Sequence, residues 1–223
     1  MGYLDFSGTF ARSDLFVHGV LLTLALSVAA LVLGMCVGVI GALMRLSGSK
    51  VMSSIAAAYV EIIRNTPFLV QIYIVYFGLP SVGIRISEMT AAILSLTLYA
   101  GAYVTEIVRA GIQTIGKGQR EAARTLGMSP YLTFRYVVLV PAISAIFPAL
   151  TSQFVLIMLA SSVVSVISVP ELTGVANDIQ GLTFRSLEAY LVVAALYLAL
   201  TAAFKGAFAA FDRILFSFRY AGR

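Results

Sequence analysis

Residues 117–130 read KGQREAARTLGMSP, a short polar stretch in a chain that is otherwise poor in charge. Gly127 suits the left-handed residue that commonly follows a helix. Ser129 followed by Pro130 is typical of a helix start, with serine as the N-cap and proline in the first turn. The stretch therefore predicts two short helices joined by a turn, and we call residues 117–130 the elbow.

The chain on both sides of the elbow has the composition of a membrane protein. Of its 223 residues, 60% are hydrophobic and 11% are charged, and the mean hydropathy is +0.97. A soluble domain carries roughly a quarter charged residues, and a transmembrane helix needs about 20 mainly apolar ones. We therefore expect an all-α integral membrane protein that forms one domain over residues 1–223. The predicted spans are approximately residues 19–44, 54–79, 88–111, 148–168 and 187–208.

Glycines and prolines predict where the spans pack closely or bend. Gly34, Gly38 and Gly41 would let another helix approach the first span. Residues 65–67, Asn-Thr-Pro, predict a kink in the second hydrophobic region, because proline disfavours helix at the residue before it.

The fourth charge-free run, residues 136–170, is too long for one upright helix. Pro141 and Pro148 suggest that its first part lies along the membrane surface before the span begins. Residues 170–181 are rich in turn formers and are predicted to be an outer loop.

The distribution of Lys and Arg predicts the orientation in the membrane, because basic residues are in excess in cytoplasmic loops. With the N-terminus outside and the C-terminus inside, the outer segments hold only Arg12, Arg85 and Arg185. Arg64, inside the second hydrophobic region, is left out of the count. The inner segments then hold Arg45, Lys50, Arg109, Lys117, Arg120, Arg124, Arg135, Lys205, Arg213, Arg219 and Arg223.

Two Glu/Arg pairs lie within the hydrophobic regions, where an isolated charge costs at least about 2.5 kcal/mol. Glu61 with Arg64, and Glu106 with Arg109, are each spaced i,i+3, which puts both side chains on one helical face. Each pair is expected to neutralise itself. The pairs would be structural, or they would contact a zwitterionic substrate or a gate; the sequence leaves both open.

The elbow resembles the EAA loop of binding-protein-dependent ABC permeases. Glu121, Ala122 and Ala123 are followed after three residues by Gly127 and then by a hydrophobic stretch that ends at Leu139. The family has a proline directly after this last position, whereas this chain has Val140 and then Pro141.

The resemblance extends over nearly the whole chain and is strongest to the polar amino acid branch of the family, the histidine, glutamine and arginine type. Leu159 and Ala160 depart from it, since many relatives carry a charged residue there. The matching residues are Gly19, Thr23, Leu24, Ser27, 59–61, 64–67, Gln71, 76–80, Glu106, 109–111, 161–165 and 170–172.

This resemblance implies the type I ABC importer permease (MetI-like) fold, with a cytoplasmic coupling loop over residues 114–141. It implies that Arg120, Glu121 and Arg124 make polar contacts with an ATP-binding subunit, and that Ala122, Ala123 and Gly127 allow close docking. The candidate substrate pathway comprises Glu61, Arg64, Gln71, Glu106, Arg109, Gln153, Ser161 and Ser162. The serines also have a simpler interpretation as helix contacts.

The partners implied are two ATP-binding subunits, a second permease that is identical or paralogous, a periplasmic solute-binding protein, a polar amino acid and the lipid bilayer of the bacterial inner membrane. No nucleic acid partner, catalytic residue, metal site or cofactor is expected in this chain. ATP and magnesium would bind the partner ATPase. The nearest phosphate-loop string, residues 111–118, has Gly118 where a Ser or Thr should reach magnesium.

Two rival functions remain. An intramembrane enzyme is disfavoured because the single histidine, His18, lies at the outer edge of the first span. A small secondary transporter or channel, working as a dimer without ATP, is the closer alternative.

Overall fold

A computed structural model describes residues 4–216, in which every regular element is a helix. Arg219 and Arg223, which contribute to the predicted orientation, lie outside the described residues. We number the helices α1 (Ser7–Phe10), α2 (Ser13–Leu46), α3 (Lys50–Arg64), α4 (Phe68–Ser81), α5 (Glu88–Gln113), α6 (Lys117–Thr125), α7 (Pro130–Ile167), α8 (Leu172–Thr183) and α9 (Ser186–Leu215).

Four of these helices, α2, α5, α7 and α9, are long and apolar enough to cross a membrane. Helices α3 and α4 reach that standard only as a pair, bent by 107° at the residues between them. The described chain thus has four candidate spans, or five when the bent pair counts as one. The prediction of an all-α membrane protein with about five spans is confirmed.

Helices α2 and α5 form the tightest pair, and the predicted glycines lie at their interface. A Cβ on Gly34 would come within 2.6 Å of the Cβ of Ala100, and Gly38 and Gly41 face Val104 and Thr105 just as closely. The glycines therefore serve close packing within this chain, where dispersion contacts can hold two membrane helices together.

The predicted kink at residues 65–67 is present as the sharp bend between α3 and α4. Gln71 satisfies the backbone there: its Nε2 donates to the carbonyl oxygens of Ile63 at 2.7 Å and Thr66 at 3.0 Å. A freed carbonyl at membrane depth needs such a partner, and this glutamine side chain supplies it.

Helix α7 corrects the prediction of a surface-lying entry, because Pro141 and Pro148 both lie inside one helix. The helix is a wider π-helix over Thr133–Leu139 and a tighter 3-10 helix over Ser161–Ile167. The π-helix ends two residues before Pro141, and its wider spacing eases the clash that a proline ring makes with the preceding turn.

Residues 172–183 correct the prediction of an outer loop, since they form α8. Leu172, Val175, Ala176 and Ile179 follow helical i, i+3, i+4, i+7 spacing and are buried against α2 and α9. The glycines and Asn177 in this stretch are turn formers, so they predicted a loop in spite of that periodicity. A second core cluster joins α2, α4, α5 and α7.

Candidate functional site

The elbow has the predicted local structure. Gly127 adopts a left-handed φ of +74°, and nothing lies within 4 Å of a Cβ built there, so the backbone conformation is what favours glycine. Two backbone bonds close the turn, from Gly127 N to Arg124 O at 2.9 Å and from Met128 N to Ala123 O at 3.1 Å. The Ser129 side chain accepts from Leu132 N at 3.3 Å and caps α7.

The two faces of α6 differ in what they contact. Ala123 is only 3% exposed and packs against the rest of the chain, so it is not available to a partner. Glu121, Ala122 and Arg124 are exposed, and Leu126 beside them is 81% exposed. The elbow therefore presents acidic, basic and apolar groups outward from a buried alanine.

Arg120 joins the elbow to the end of α5. Its Nη2 donates to the backbone oxygen of Ile112 at 3.3 Å, which lies in the last turn of α5. This hydrogen bond therefore connects α6 mechanically to the end of α5.

The predicted Glu106–Arg109 pair is present, and two further residues join it to form a cluster. Arg109 Nη2 lies 2.6 Å from Glu106 Oε2, and its Nη1 donates to Gln113 Oε1 at 2.8 Å. Arg45, from the end of α2, brings its Nε to 3.6 Å from Glu106 Oε1. Sequence analysis missed Arg45 as a member because only the packing of α2 on α5 brings it near.

The expected pairing of Glu61 with Arg64 is wrong. Glu61 Oε2 accepts from Asn65 Nδ2 at 2.8 Å, while the Arg64 guanidinium lies 5.3 Å from the ring centroid of Tyr103. The end of α3 supplies a closer partner for the carboxylate, and α5 supplies an aromatic face for the cation. Tyr103 is one helical turn from Glu106, so Arg64 comes close to the same part of α5.

Gln71 and Gln153 are both buried and each keeps one atom without a hydrogen-bond partner among the described residues. Gln71 Oε1 is free although its Nε2 holds the α3–α4 bend, and Gln153 Nε2 is free within α7. One group is an acceptor and the other a donor. No hydrogen bond in residues 4–216 joins either of them to the Glu106 cluster.

The serines of α7 satisfy their own helix. Ser161 Oγ donates to Met158 O and Ser162 Oγ to Leu159 O, each at 2.7 Å. This agrees with the simpler interpretation of intramembrane serines.

Glu171 has a structural role that sequence analysis did not predict, because residues 170–181 were expected to form an outer loop. It is fully buried and accepts four hydrogen bonds. Its Oε1 accepts from the backbone of Thr173 and Gly174 at 2.8 and 2.9 Å, and its Oε2 accepts from Tyr197 at 2.8 Å and Thr23 at 3.3 Å. One carboxylate thus links α2, α8 and α9.

The far end of the molecule, opposite the elbow, holds a separate ion cluster. Arg185 lies 3.1 Å from Asp5 and 3.2 Å from Glu188. Hydrogen bonds from Ser7 are the main cause that lowers the pKa of the Asp5 carboxyl below its usual range. The cluster fixes the segment before α1 to the start of α9.

Comparison with known proteins gives a consistent family. The model of the family described as "Binding-protein-dependent transport system inner membrane component" matches residues 30–216. The nopaline transport system permease protein NocM of Agrobacterium fabrum is 42% identical over 80% of this chain and 78% of its own length. The glutamine transport system permease protein GlnP of Escherichia coli is 36% identical over 88% of this chain and 91% of its own.

Solved structures agree with these relatives. A crystal structure of an amino acid ABC transporter with histidines aligns with a TM-score of 0.89 at 40% identity, over 95% of this chain and 99% of that one. The MetNI methionine ABC transporter in an inward-facing conformation aligns with a TM-score of 0.72 over 92% of this chain and 98% of that one. Its identity is 23%, so it supports the fold alone.

Proposed function

The chain belongs to the family of binding-protein-dependent transport system inner membrane components, as a permease subunit of an ATP-binding cassette importer, and we propose that it carries a polar amino acid through the bacterial inner membrane. A periplasmic binding protein delivers the amino acid. A second permease, identical or paralogous, completes the pathway, and two ATP-binding subunits drive it.

The observation that carries this proposal is the construction of the elbow. Its exposed residues Glu121 and Ala122 stand free for a partner, Ala123 is buried against the rest of the chain, and Arg120 bonds to Ile112 at the end of α5. A rigid element that is exposed on one side and tied to a long span on the other can transmit the closure of a partner to the membrane helices.

ATP and magnesium bind the partner subunits in this account. The phosphate-loop-like string of residues 111–118 supports this assignment, because Gly111 lies inside α5 against Ile146. A phosphate loop requires a strand before the glycines and a free backbone to cradle phosphate. The role of this chain is then conduction and coupling.

The substrate pathway runs past the polar groups within the spans. A polar amino acid needs an acceptor for its ammonium and a donor for its carboxylate, and such groups gain strength away from water. Gln71 Oε1 and Gln153 Nε2 are unpartnered groups of these two kinds, and Glu61, Arg64, Glu106 and Arg109 supply charge toward the elbow end. The hydroxyls of Ser161 and Ser162 already donate to backbone oxygens of α7. These serines therefore contribute to the pathway by shaping the helix that borders it.

The orientation follows from charge. The sequence assigns eleven basic residues to the inner segments and three to the outer ones, and this asymmetry supports an outside N-terminus and a cytoplasmic elbow. The names of the two relatives, which mention nopaline and glutamine, support a polar amino acid or amino acid derivative as the substrate.

Charge reversal at the elbow tests the proposal. Glu121→Lys should weaken association with the ATPase by at least about tenfold, because a hydrogen bond to a charged group contributes about 1.5–3 kcal/mol. Association is measured by copurification of the ATPase at graded concentrations, together with amino acid uptake into proteoliposomes.

Glu88→Lys is the matched control, because Glu88 is an exposed glutamate at the opposite end of α5. It should leave the association unchanged. Wild-type association and uptake in the Glu121→Lys transporter would contradict the proposal.

A further inference from the structure

A cavity of about 270 Å³ lies between the elbow and the ends of the two helices that flank it. We call it the elbow cavity. Ile112 forms its α5 side, Arg120 and Arg124 its α6 side, and Thr133, Phe134 and Val138 its α7 side. Its lining combines two cations and a hydroxyl with apolar groups.

Two polar atoms at this cavity have no partner in the described structure. Thr133 is only 8% exposed, and its Oγ1 makes no hydrogen bond, whereas Thr114, Thr125 and Thr151 all donate to carbonyl oxygens of their own helices. Arg120 Nε is buried and unpartnered too, although Nη2 of the same side chain binds Ile112 O. An unsatisfied buried hydroxyl destabilises the fold, so a bound acceptor would remove that penalty.

The charge around the elbow cavity selects an anionic acceptor. Arg120 and Arg124 are one turn apart on α6 and line the same cavity, and none of the residues that line it is acidic. Phosphate oxygens accept from several guanidinium and hydroxyl donors at once. A phosphate group fits this donor set.

The position of the cavity points to a lipid. It lies at the end of α5 and the start of α7, two helices that are candidate spans. Tyr131, Phe134 and Tyr136 are exposed on the first turns of α7. Exposed aromatic residues at a helix end are typical of the membrane interface, where lipid headgroups lie.

We propose that the elbow cavity binds an anionic phospholipid of the cytoplasmic leaflet. Its phosphate contacts Arg120, Arg124 and Thr133, and an acyl chain lies along Phe134 and Val138. Basic pockets between spans on the cytoplasmic side have the chemistry that recognises such headgroups. The cytoplasmic location rests on the proposed function, whereas the binding chemistry rests on the cavity alone.

The experiment is native mass spectrometry of the intact transporter, permease with ATPase, titrated with phosphatidylglycerol and separately with phosphatidylcholine. We expect the wild type to retain phosphatidylglycerol preferentially. Thr133→Val and Arg124→Gln should each weaken its binding about tenfold, the equivalent of one hydrogen bond to a charged group. Thr133→Ser, which keeps the hydroxyl, should bind as the wild type does and shows that the site has folded.

Two control variants remove the same groups outside the cavity. Thr125→Val deletes a hydroxyl on α6, and Arg135→Gln deletes an exposed cation on α7; neither residue lines the cavity. Both should bind phosphatidylglycerol within about twofold of the wild type, a free-energy difference well below that of one hydrogen bond.

Four results would overturn the proposal. They are equal retention of both lipids, unchanged phosphatidylglycerol affinity in Thr133→Val and Arg124→Gln, displacement of the lipid by inorganic phosphate alone, and loss of the lipid when the ATPase is added to the permease. The third result would assign the cavity to free phosphate, and the fourth to a side chain of the partner. Lipid binding is measured without ATP or amino acid. The lipid proposal can therefore fail while the transport proposal holds, and the transport proposal can fail while the lipid proposal holds.

Discussion

Glu171 explains how a carboxylate can be tolerated deep in an apolar chain. Four donors from α2, α8 and α9 converge on it, and Thr23 also accepts from Leu172 N at 3.1 Å, which ties the start of α8 to α2. A buried acceptor with all its sites occupied stabilises a unique packing, whereas a half-satisfied one destabilises it.

Replacing this carboxylate tests that account. Glu171→Gln keeps the size but turns one acceptor into a donor, which then faces other donors. We expect the transporter in detergent to lose about 1–3 kcal/mol of stability and to unfold at a lower temperature. Tyr197→Phe, which removes one donor, should cause a smaller fall.

Glu88→Gln is the control, an exposed glutamate at a helix start. Thermal unfolding followed by circular dichroism separates the three variants. Equal unfolding temperatures for Glu171→Gln and Glu88→Gln would contradict the account.

At the residue scale, sequence predicts what is local. The Glu106–Arg109 pair was predictable because i,i+3 spacing on one helix brings the groups together whatever surrounds them. The same spacing failed for Glu61 and Arg64, because Asn65 and Tyr103 offer each of them a different partner. Arg45 and Glu171 find partners only through tertiary packing, which a single sequence does not reveal.

At the element scale, the elbow depends on one backbone conformation. Gly127 has φ of +74° in open space, so only the handedness of its backbone, and not a contact, disfavours other residues. The start of α7, capped by Ser129, and the buried Ala123 define the elbow together with this glycine.

Substituting this glycine gives a clear expectation. Gly127→Ala should cost about 1–2 kcal/mol, the penalty of a left-handed alanine. Hydrogen exchange of the elbow amides should then rise about five- to thirtyfold. Gly127→Asn should rise less, because asparagine tolerates this region better.

Gly118→Ala is the matched control within the elbow, on helix α6 that precedes Gly127. It also meets nothing within 4 Å, but its φ is not positive, so alanine should leave exchange unchanged or slow it. Equal exchange in the two alanine variants would contradict the role given to Gly127.

Elements with strong local signals were predictable and the others were not. The glycine and serine caps of the elbow and the proline break before α4 follow from single residues. Helix α8 and the continuity of α7 through Pro141 were missed, because burial of Leu172 and Ile179 and a π-helix upstream override turn formers and proline.

At the scale of the whole molecule, α5 connects the parts. Arg120 ties the elbow to its end, Gly34 and Gly38 hold α2 along its length, and Tyr103 and Glu106 receive Arg64 and Arg45. A displacement of the elbow can therefore reach the bend between α3 and α4, where Gln71 is buried. In the proposed function, this connection couples a partner ATPase to the membrane pathway.

The most direct test is uptake by proteoliposomes that contain this chain with its second permease, with or without the ATP-binding subunits. Labelled glutamine and a binding protein are supplied outside, and ATP or a non-hydrolysable analogue inside. We expect accumulation only with the ATP-binding subunits and hydrolysable ATP. Equal movement of the amino acid without a nucleotide-hydrolysing partner would contradict the central claim that the elbow couples this permease to one.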